Sequence, residues 1–193
     1  MEQAEQGVAG SGQAIQKTGR LMAASIIRRL EKRHDRSAFA CGQPLLDEWL
    51  TDRAGQFDRR DLSRTFVATR PNEFIVRGYY ALSTHRVVYD ALPIGEARAL
   101  PQLDVPVVLI GRLAVDRGVQ GQGLGGMLLI DGLRRSVQIS AEVGIRAVEV
   151  DAIDEAARRF YMKFGFRPLL DDPRHLFLPM HELRKLRLDA EHS

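Results

Sequence analysis

A glycine-rich segment between an apolar run and a helix-like run constrains this chain more than any other feature. Residues 120–125 read QGQGLG; they follow the apolar residues 107–115 and precede a stretch with apolar residues at helical spacing. This order predicts a strand, a tight turn and a helix. Backbone amides in such a turn, with the positive end of the helix dipole behind them, form a binding site for an anion such as a pyrophosphate.

The spacing of these glycines excludes two common phosphate-binding loops. A P-loop requires Lys-Ser or Lys-Thr after its last glycine, and neither pair follows here. A dinucleotide-binding loop follows the first strand of a βαβ unit, whereas this loop begins only at residue 120. The remaining pattern, Gln-x-x-Gly-x-Gly, resembles the pyrophosphate loop of the GNAT acyl-CoA N-acetyltransferases. The alternative is a glycine-rich helix start that binds no ligand.

A second segment strengthens the resemblance to this family. Residues 146–152 alternate as in a strand, and residues 154–166 read DEAARRFYMKFGF. The latter resemble the GNAT helix with the pattern Asn-x-x-Ala-x-x-Phe-Tyr that ends in a Gly-Phe turn, although Asp154 replaces the usual Asn. The resemblance covers about residues 25–185. It implies the GNAT fold: a mixed α/β (α+β) architecture whose central, mostly antiparallel sheet contains a splayed parallel pair and carries helices on both faces.

A narrower resemblance lies upstream. Residues 39–50, FACGQPLLDEWL, are similar to the start of the first helix in GNAT toxins of type II toxin–antitoxin systems. Residues 112–116, RLAVD, also match the segment that commonly precedes the phosphate loop of those toxins. Three segments therefore match in order. Taken alone, residues 39–50 would favour the alternative of an amphipathic helix whose apolar face packs in a core.

The bulk properties are those of an ordinary globular protein. The 193 residues carry a net charge of +3 and predict one domain over residues 25–193, after a disordered tail, residues 1–24, rich in Gly, Ala, Ser and Gln. No apolar run is long enough to span a membrane, and the N-terminus does not resemble a signal peptide. Cys41 is the single cysteine, which excludes an internal disulfide and is compatible with the cytoplasm. No His/Cys spacing predicts a metal site.

The apolar patterns predict an early group of strands and a later βαβ unit. The predicted strands are residues 26–30, 64–69, 74–84, 106–115, 146–152 and about 175–182. The predicted helices are residues 43–56, 123–143 and 154–164, with a long connection over residues 91–105.

The resemblance implies acetyl-CoA as co-substrate and places a set of residues around it. The backbone of the predicted strand end would contact the acetyl and pantetheine groups and supply an oxyanion donor, while the loop would hold the pyrophosphate. The full set of expected cofactor-binding residues is Leu113, Ala114, Val115, Gln120, Gly121, Gln122, Gly123, Leu124, Gly125, Gly126, Asp154 and Phe160. No metal is expected.

Tyr161 is the candidate general acid that protonates the departing thiolate. A thiol has a pKa near 8.5 and a tyrosine near 10, so full proton transfer is uphill by about 2 kcal/mol. A strong hydrogen bond, or transfer during C–S cleavage, remains feasible. The alternative is a structural tyrosine that packs beside Phe160.

The sequence offers no distinct general base. Glu149 and Asp151 alternate on one face of a predicted strand and could point into the cleft, but solvated or ion-paired carboxylates are the favoured interpretation for each. An α-amino group, with a pKa of about 7.7–8.0, is partly neutral near pH 7, whereas a lysine amine near 10.4 is mostly protonated. The absence of a strong base therefore favours an α-amine as acceptor.

The toxin resemblance implies a specific function, and other functions remain open. It implies a toxin that acetylates the α-amino group of aminoacyl-tRNA and inhibits translation, paired with a ribbon-helix-helix antitoxin and often forming a homodimer. The residues expected to bind tRNA phosphates are Arg28, Arg29, Lys32 and Arg33, which could also be a solvated surface. The alternatives are an acetyltransferase for a small amine or a protein N-terminus, and a GNAT-fold binding module without catalysis.

Overall fold

The computed structural model describes residues 25–98 and 100–186. The predicted disordered tail, residues 1–24, lies outside these described residues. None of the described helices is long and apolar enough to cross a membrane.

Seven strands form a single sheet in the order β1-β2-β3-β4-β5-β7-β6. Their bounds are β1 Ile26–Arg29, β2 Arg64–Thr69, β3 Gly78–Val87, β4 Val105–Val115, β5 Ala147–Asp151, β6 Arg167–Pro168 and β7 His175–Pro179. β1–β2, β5–β7 and β6–β7 are antiparallel pairs, whereas β4 and β5 are parallel. The predicted mixed, mostly antiparallel sheet with a parallel pair is confirmed.

The parallel pairing of β4 and β5 is short. Its register runs from Val107↔Ala147 to Leu109↔Glu149. β5 continues through Val150 and Asp151, which pair with Leu176 and His175 of β7. The carboxyl end of β5 is therefore held by β7.

The first predicted helix consists of three consecutive segments. These are α1 Pro44–Glu48, a π-helical turn Trp49–Arg53 and α2 Ala54–Arg59. Pro44 begins the helix, a position where its missing N–H costs no hydrogen bond. The remaining helices are α3 Ile94–Ala97, α4 Leu124–Glu142, α5 Glu155–Met162 and α6 Met180–Leu183, with 3-10 turns at Tyr89–Ala91 and Arg117–Val119.

Several strand boundaries differ from the prediction, β3 extends to Val87 instead of residue 84, and β6 was not predicted. β3 begins at Gly78 rather than residue 74, because the preceding backbone pairs with Asp35 instead: Asp35 N donates to Phe74 O, and Val76 N donates to Asp35 O, each at 2.9 Å. The last predicted strand, residues 175–182, ends at Pro179, and α6 follows at once. Proline has no N–H and its fixed φ suits the start of a helix.

The chain divides into two compact units, each with its own apolar core. Of the described residues, the first unit contains 25–81 and 113–131, and the second contains 82–98, 100–112 and 132–186. In the first, the ring of Trp49 stacks on Tyr79 at 5.7 Å and Phe39 meets Tyr79 edge-on at 5.6 Å. In the second, the core includes Val107, Ala147 and Phe177. The single domain predicted for residues 25–193 stays a prediction.

A glycine in the first unit permits close packing around the start of α4. A Cβ added at Gly78 would lie 2.8 Å from Leu128 Cδ1 and 3.1 Å from Ala114 O. No heavier residue fits there without moving a neighbour. Gly78 thus lets β3 pack directly against the start of α4 and the end of β4, the two elements that flank the predicted loop.

Candidate active site

The predicted anion loop adopts the backbone conformation that glycine favours. Gly121 has φ +73° and Gly123 has φ +91°, both in the left-handed region. A Cβ added at Gly121 would meet nothing within 4 Å. The loop from Gln120 to Gly123 is exposed, so its backbone is open to a ligand.

Gln120 holds the loop through its side chain. Its Nε2 donates to Cys41 O at 2.8 Å and to Val115 O at 2.9 Å. The amide thus joins the loop to the end of β4 and to the segment before α1. The structure therefore gives the side chain of Gln120 a positioning role.

Asp116 completes the connection between the two sequence motifs. Its Oδ1 accepts from Gly118 N at 2.9 Å, and its Oδ2 accepts from Ala40 N at 3.1 Å. Arg117 N donates to Ala40 O at 2.9 Å. Residues 40–41 and the start of the loop therefore form one hydrogen-bonded structure.

The start of α4 supplies backbone donors without a nearby acid. The amide of Met127 bonds to Gly123 O at 3.2 Å, and the amides of Leu124, Gly125 and Gly126 precede this helical bond. The first amides of a helix have no acceptor within the helix itself. The first turn contains no acidic residue. With 19 residues, α4 presents a full helix dipole to an anion at the loop.

The three predicted residues of the strand end, Leu113, Ala114 and Val115, are the last three residues of β4. Ala114 is buried, and the carbonyl of Val115 accepts the bond from Gln120. Together with the loop residues, they all belong to the first unit, whereas Asp154, Phe160 and Tyr161 belong to the second.

Tyr161 lies on α5 in an apolar environment. Its side chain is buried and packs against Phe160 at 5.2 Å and Phe166 at 5.6 Å. Burial, followed by the negative charge of Asp151, raises the pKa of the Tyr161 phenol well above its ordinary value. The phenol therefore stays neutral at physiological pH and is a proton donor rather than a base. Among the described residues, no group accepts a hydrogen bond from it.

Asp154 and Phe160 have clear local roles. Asp154 caps α5, since its Oδ1 accepts from Ala157 N at 2.7 Å, and Asp is among the best residues at this position. The replacement of the usual Asn by Asp thus preserves a cap. Phe160 packs between Tyr161 and Phe164, at 5.2 Å from each ring.

Glu149 lies within a network of histidines and a second carboxylate. Its side chain is 1% exposed. Its Oε2 lies 2.8 Å from His85 Nδ1, and its Oε1 hydrogen-bonds to His175 Nε2. The other ring nitrogen of His175 lies 2.8 Å from Asp171 Oδ2. Of the two interpretations of Glu149, the ion-paired one describes this arrangement, whereas Asp151 is exposed.

The network raises the pKa of its central histidine. Burial alone lowers the pKa of His175, but hydrogen bonds to Glu149 and Asp171 outweigh it, and the net pKa is raised. Burial likewise opposes ionisation of Asp171, but the hydrogen bond from His175 and the charge of its ring together outweigh burial, and the pKa of Asp171 is lowered. The two carboxylates therefore favour the protonated form of His175 more than water would.

The four predicted tRNA contacts do not share one environment. Arg29 pairs with Asp58 at 2.5 Å, and Arg33 pairs with Glu31 at 2.9 Å and lies over the Phe74 ring. Arg28 is half-buried. Lys32 is exposed and has no ion pair among the described residues.

One group of side chains has metal-ligand geometry but is already neutralised. Ligand atoms of Glu96, His181 and Glu182 lie within 4.8 Å of one another. Arg167 contacts Glu96 at 3.1 Å and Glu182 at 3.0 Å, and Arg146 contacts Glu96 at 3.0 Å. We assign no metal to these carboxylates, because two arginines occupy them.

Comparison with known proteins gives consistent results. A family model described as Acetyltransferase (GNAT) domain matches residues 61–168. A tRNA-acetylating toxin of Mycobacterium tuberculosis is 40% identical over 159 residues, which cover 82% of this chain and 94% of that protein. Probable toxin TacT of Sinorhizobium fredii is 34% identical over 162 residues, 80% of this chain and 90% of that protein.

Solved structures of AtaT match over a similar length. AtaT complexed with acetyl-methionyl-tRNAfMet has a TM-score of 0.79 and 32% identity, covering 84% of this chain and 98% of that one. AtaTR bound with acetyl-CoA has a TM-score of 0.75 at the same identity and coverage. A mutant of AtaT with a tyrosine replaced by phenylalanine, bound to the C-terminus of the antitoxin AtaR, has a TM-score of 0.73 and 30% identity, covering 85% of this chain and 98% of that one.

The carboxylate–histidine network predicts a bell-shaped pH dependence of stability. The raised pKa of His175 contributes stability that is fully present below its unfolded pKa of about 6.5 and is lost as the pH rises through the folded value. The lowered pKa of Asp171 contributes stability that is present above about pH 4 and is lost as the pH falls. Asp171→Asn should therefore lower the free energy of unfolding most between about pH 4 and 6.5, by less than about 1 kcal/mol, because solvent screens this partly exposed carboxylate.

Urea unfolding across pH 4–9 measures this effect. Asp172→Asn is the matched control, because it removes a neighbouring carboxylate that bonds to Arg174 N instead of His175. A difference between wild type and Asp171→Asn that is constant over this range would show that the network contributes no linked protonation.

Proposed function

This chain belongs to the GNAT acetyltransferase family, and we propose that it transfers the acetyl group of acetyl-CoA to the α-amino group of aminoacyl-tRNA, thereby inhibiting translation as a toxin. The observation that carries the transfer chemistry is the exposed loop with Gly121 and Gly123 in the left-handed region, ahead of the 19-residue helix α4. The choice of acceptor is supported by the relative from Mycobacterium tuberculosis, 40% identical and named for tRNA acetylation.

The loop fits the pyrophosphate of acetyl-CoA. The amides of Leu124 to Gly126 precede the first helical bond, no acid lies in the first turn of α4, and the surface above Gly121 is open. These features attract a diphosphate without any positively charged side chain. We propose that amides from Gly121 to Gly126 hold the pyrophosphate and that the backbone of Leu113, Ala114 and Val115 holds the acyl arm. Acetyl-CoA, when bound, supplies an activated acetyl thioester.

Tyr161 is the proposed proton donor to the leaving sulfur. A thiol has a pKa near 8.5, so the raised pKa of Tyr161 makes full proton transfer less favourable than from an ordinary tyrosine. A hydrogen bond from the neutral phenol, strengthened as negative charge develops on sulfur, needs no complete transfer. The buried ring between Phe160 and Phe166 keeps the phenol in one orientation.

The hydrogen bonds around Glu149 favour an acetyl acceptor whose amine is partly deprotonated without the help of a general base. Both carboxylate oxygens of Glu149 are engaged by His85 and His175, so this residue is not a free base. An α-amino group with a pKa of about 7.7–8.0 supplies its own neutral fraction near pH 7. An aminoacyl end therefore suits this site better than a lysine side chain.

A protein partner belongs to the same proposal. AtaT binds the C-terminus of the antitoxin AtaR. We propose that this chain is likewise neutralised by an antitoxin, of the ribbon-helix-helix type, that it forms a homodimer, and that it acts on tRNA in the cytoplasm. The net charge of +3 favours an acidic antitoxin segment.

Acetylation of a charged tRNA pool tests the acceptor. The full chain is incubated with labelled acetyl-CoA and bulk aminoacyl-tRNA, with deacylated tRNA as the control and methionine amide as a small α-amine. We expect label on the aminoacyl ends and none on deacylated tRNA. Transfer to methionine amide without any transfer to aminoacyl-tRNA would replace this proposal with the small-amine alternative.

A charge placed at Gly121 should block acetyl-CoA binding. Gly121→Asp introduces a carboxylate into open space beside the proposed pyrophosphate, whereas Gly121→Asn has nearly the same shape and tolerates the left-handed conformation. Calorimetry with acetyl-CoA should show at least about tenfold weaker binding to the Asp variant than to the Asn variant. Equal affinities of the two folded variants would exclude the pyrophosphate from this loop.

Removal of the Tyr161 hydroxyl should slow turnover without weakening acetyl-CoA binding. Tyr161→Phe should lower kcat about 10²–10⁴-fold, as is typical for the loss of a positioned proton donor. Stability should be nearly unchanged, because the phenol bonds to no group among the described residues. Tyr89→Phe, which removes a hydroxyl that bonds to Ala97 O at 3.2 Å, is the matched control. A kcat close to that of wild type would assign Tyr161 a structural role.

A further inference from the structure

We infer that a basic pocket on the first unit binds a phosphodiester of the tRNA substrate, an inference that rests on the proposed function. The pocket has a volume of about 470 Å³ and lies between the end of β1 and helix α2. Four cationic side chains line it: Arg29, Lys32, Arg36 and Arg59. Only Arg29 and Lys32 belong to the group predicted from the sequence.

The acids at the pocket are already paired with cations. Asp58 accepts from Arg29 at 2.5 Å and from Arg64 at 3.1 Å. Glu31 pairs with Arg33 at 2.9 Å. By contrast, neither Lys32 nor Arg59 has an ion pair or side-chain hydrogen bond within the described part of the chain. The pocket therefore keeps an excess of positive charge available to an anion.

Arg36 is held in place by the unusual turn of the first helix. One of its terminal nitrogens, Nη1, donates to Leu50 O at 2.9 Å. Leu50 is fully buried and lies in the π-helical turn Trp49–Arg53. A guanidinium has five N–H donors, so this bond fixes the group and leaves others for a ligand. Fixing the donor beforehand reduces the entropy lost on binding.

Gly55 creates the space between two guanidinium groups. A Cβ added at Gly55 would lie 3.4 Å from Arg59 Nη1 and 3.9 Å from Arg36 Nη1. The residue lies within α2, where the backbone does not require glycine and where alanine would be more stable by about 1 kcal/mol. The missing side chain lets both guanidinium groups face one volume.

Two guanidinium groups beside a free ammonium suit a phosphodiester. The planar fork of arginine matches the oxygens of a phosphate group with paired hydrogen bonds. Lys32 adds a mobile charge at the same pocket. An acidic peptide would also be attracted, but tRNA presents many phosphates to one surface. Both a phosphodiester and an acidic peptide present anionic oxygens, and the measurements below distinguish between these two ligands.

Filling the pocket and removing its charge test the inference separately. Gly55→Leu fills the space without altering charge, and Lys32→Gln with Arg59→Gln removes charge without filling it. Gly95→Leu is the control for Gly55→Leu, because Gly95 is also a helical glycine and an added Cβ there meets nothing within 4 Å. Arg98→Gln is the control for the charge variant, because Arg98 is an exposed arginine. Neither residue lines the pocket. Each variant is assayed with aminoacyl-tRNA and with methionine amide, and binding of deacylated tRNA is measured by fluorescence anisotropy over a range of KCl concentrations.

We expect both pocket variants to raise the KM for aminoacyl-tRNA about tenfold, with kcat and the kinetics on methionine amide unchanged. The affinity for deacylated tRNA should also fall, by about the same tenfold factor. For the charge variant, the slope of log affinity against log salt should decrease by about 0.7–0.9 for each phosphate that the protein no longer neutralises. The control variants should match wild type.

Three results would overturn the inference. The first is that both pocket variants keep the wild-type KM for aminoacyl-tRNA and the wild-type slope of log affinity against log salt. The second is that a variant loses activity on aminoacyl-tRNA and on methionine amide to the same extent, which indicates misfolding and not a loss of tRNA binding. The third is unchanged tRNA affinity with lost binding of a poly-glutamate peptide, which would make the pocket a peptide site. If wild type acetylates only methionine amide, the proposed function fails, but the anisotropy data still decide whether the pocket binds phosphate.

Discussion

The side-chain amide of Gln120 is the contact on which the proposed cofactor site depends. By donating to both Cys41 O and Val115 O, it joins the glycine loop to the end of β4 and to the start of the first helix. Asp116 adds a second connection through Ala40 N. These bonds fix where the loop leaves the strand, and hence where the amides at the start of α4 point. Without them, the left-handed glycines would leave the loop without a defined conformation.

Burial has opposite consequences for the two ionisable sites of the second unit. Around Tyr161 it raises the phenol pKa and favours a hydrogen-bond donor over a strong acid. Around His175 burial is outweighed by two carboxylates, and the net pKa of the imidazole is raised. The first arrangement suits a transient charge on a leaving sulfur. The second stabilises the buried carboxylate of Glu149, which would otherwise be costly to keep charged.

The cationic side chains on the first unit fall into two groups: those held in ion pairs within the protein, and those that remain able to bind a phosphate. Arg29 and Arg33 are committed to Asp58 and Glu31, although the sequence places them in the same cluster as Lys32. Arg36 and Arg59 join Lys32 at the pocket beside Gly55. A cluster of cations in the sequence is therefore a poor guide to which of them are free to bind phosphate, since an ion pair depends on acids that lie elsewhere in the chain.

The sequence by itself determined the features with local causes. The loop at Gly121 and Gly123, most of the strand positions and the helix α4 follow from glycine conformation and apolar spacing. Only the tertiary structure decided the rest. Glu149 meets histidines 64 and 26 residues away, Arg36 meets Leu50 in a π-helical turn, and β3 starts late because Asp35 pairs with the preceding backbone. Such contacts join distant segments, and the energy that selects them is absent from any local pattern.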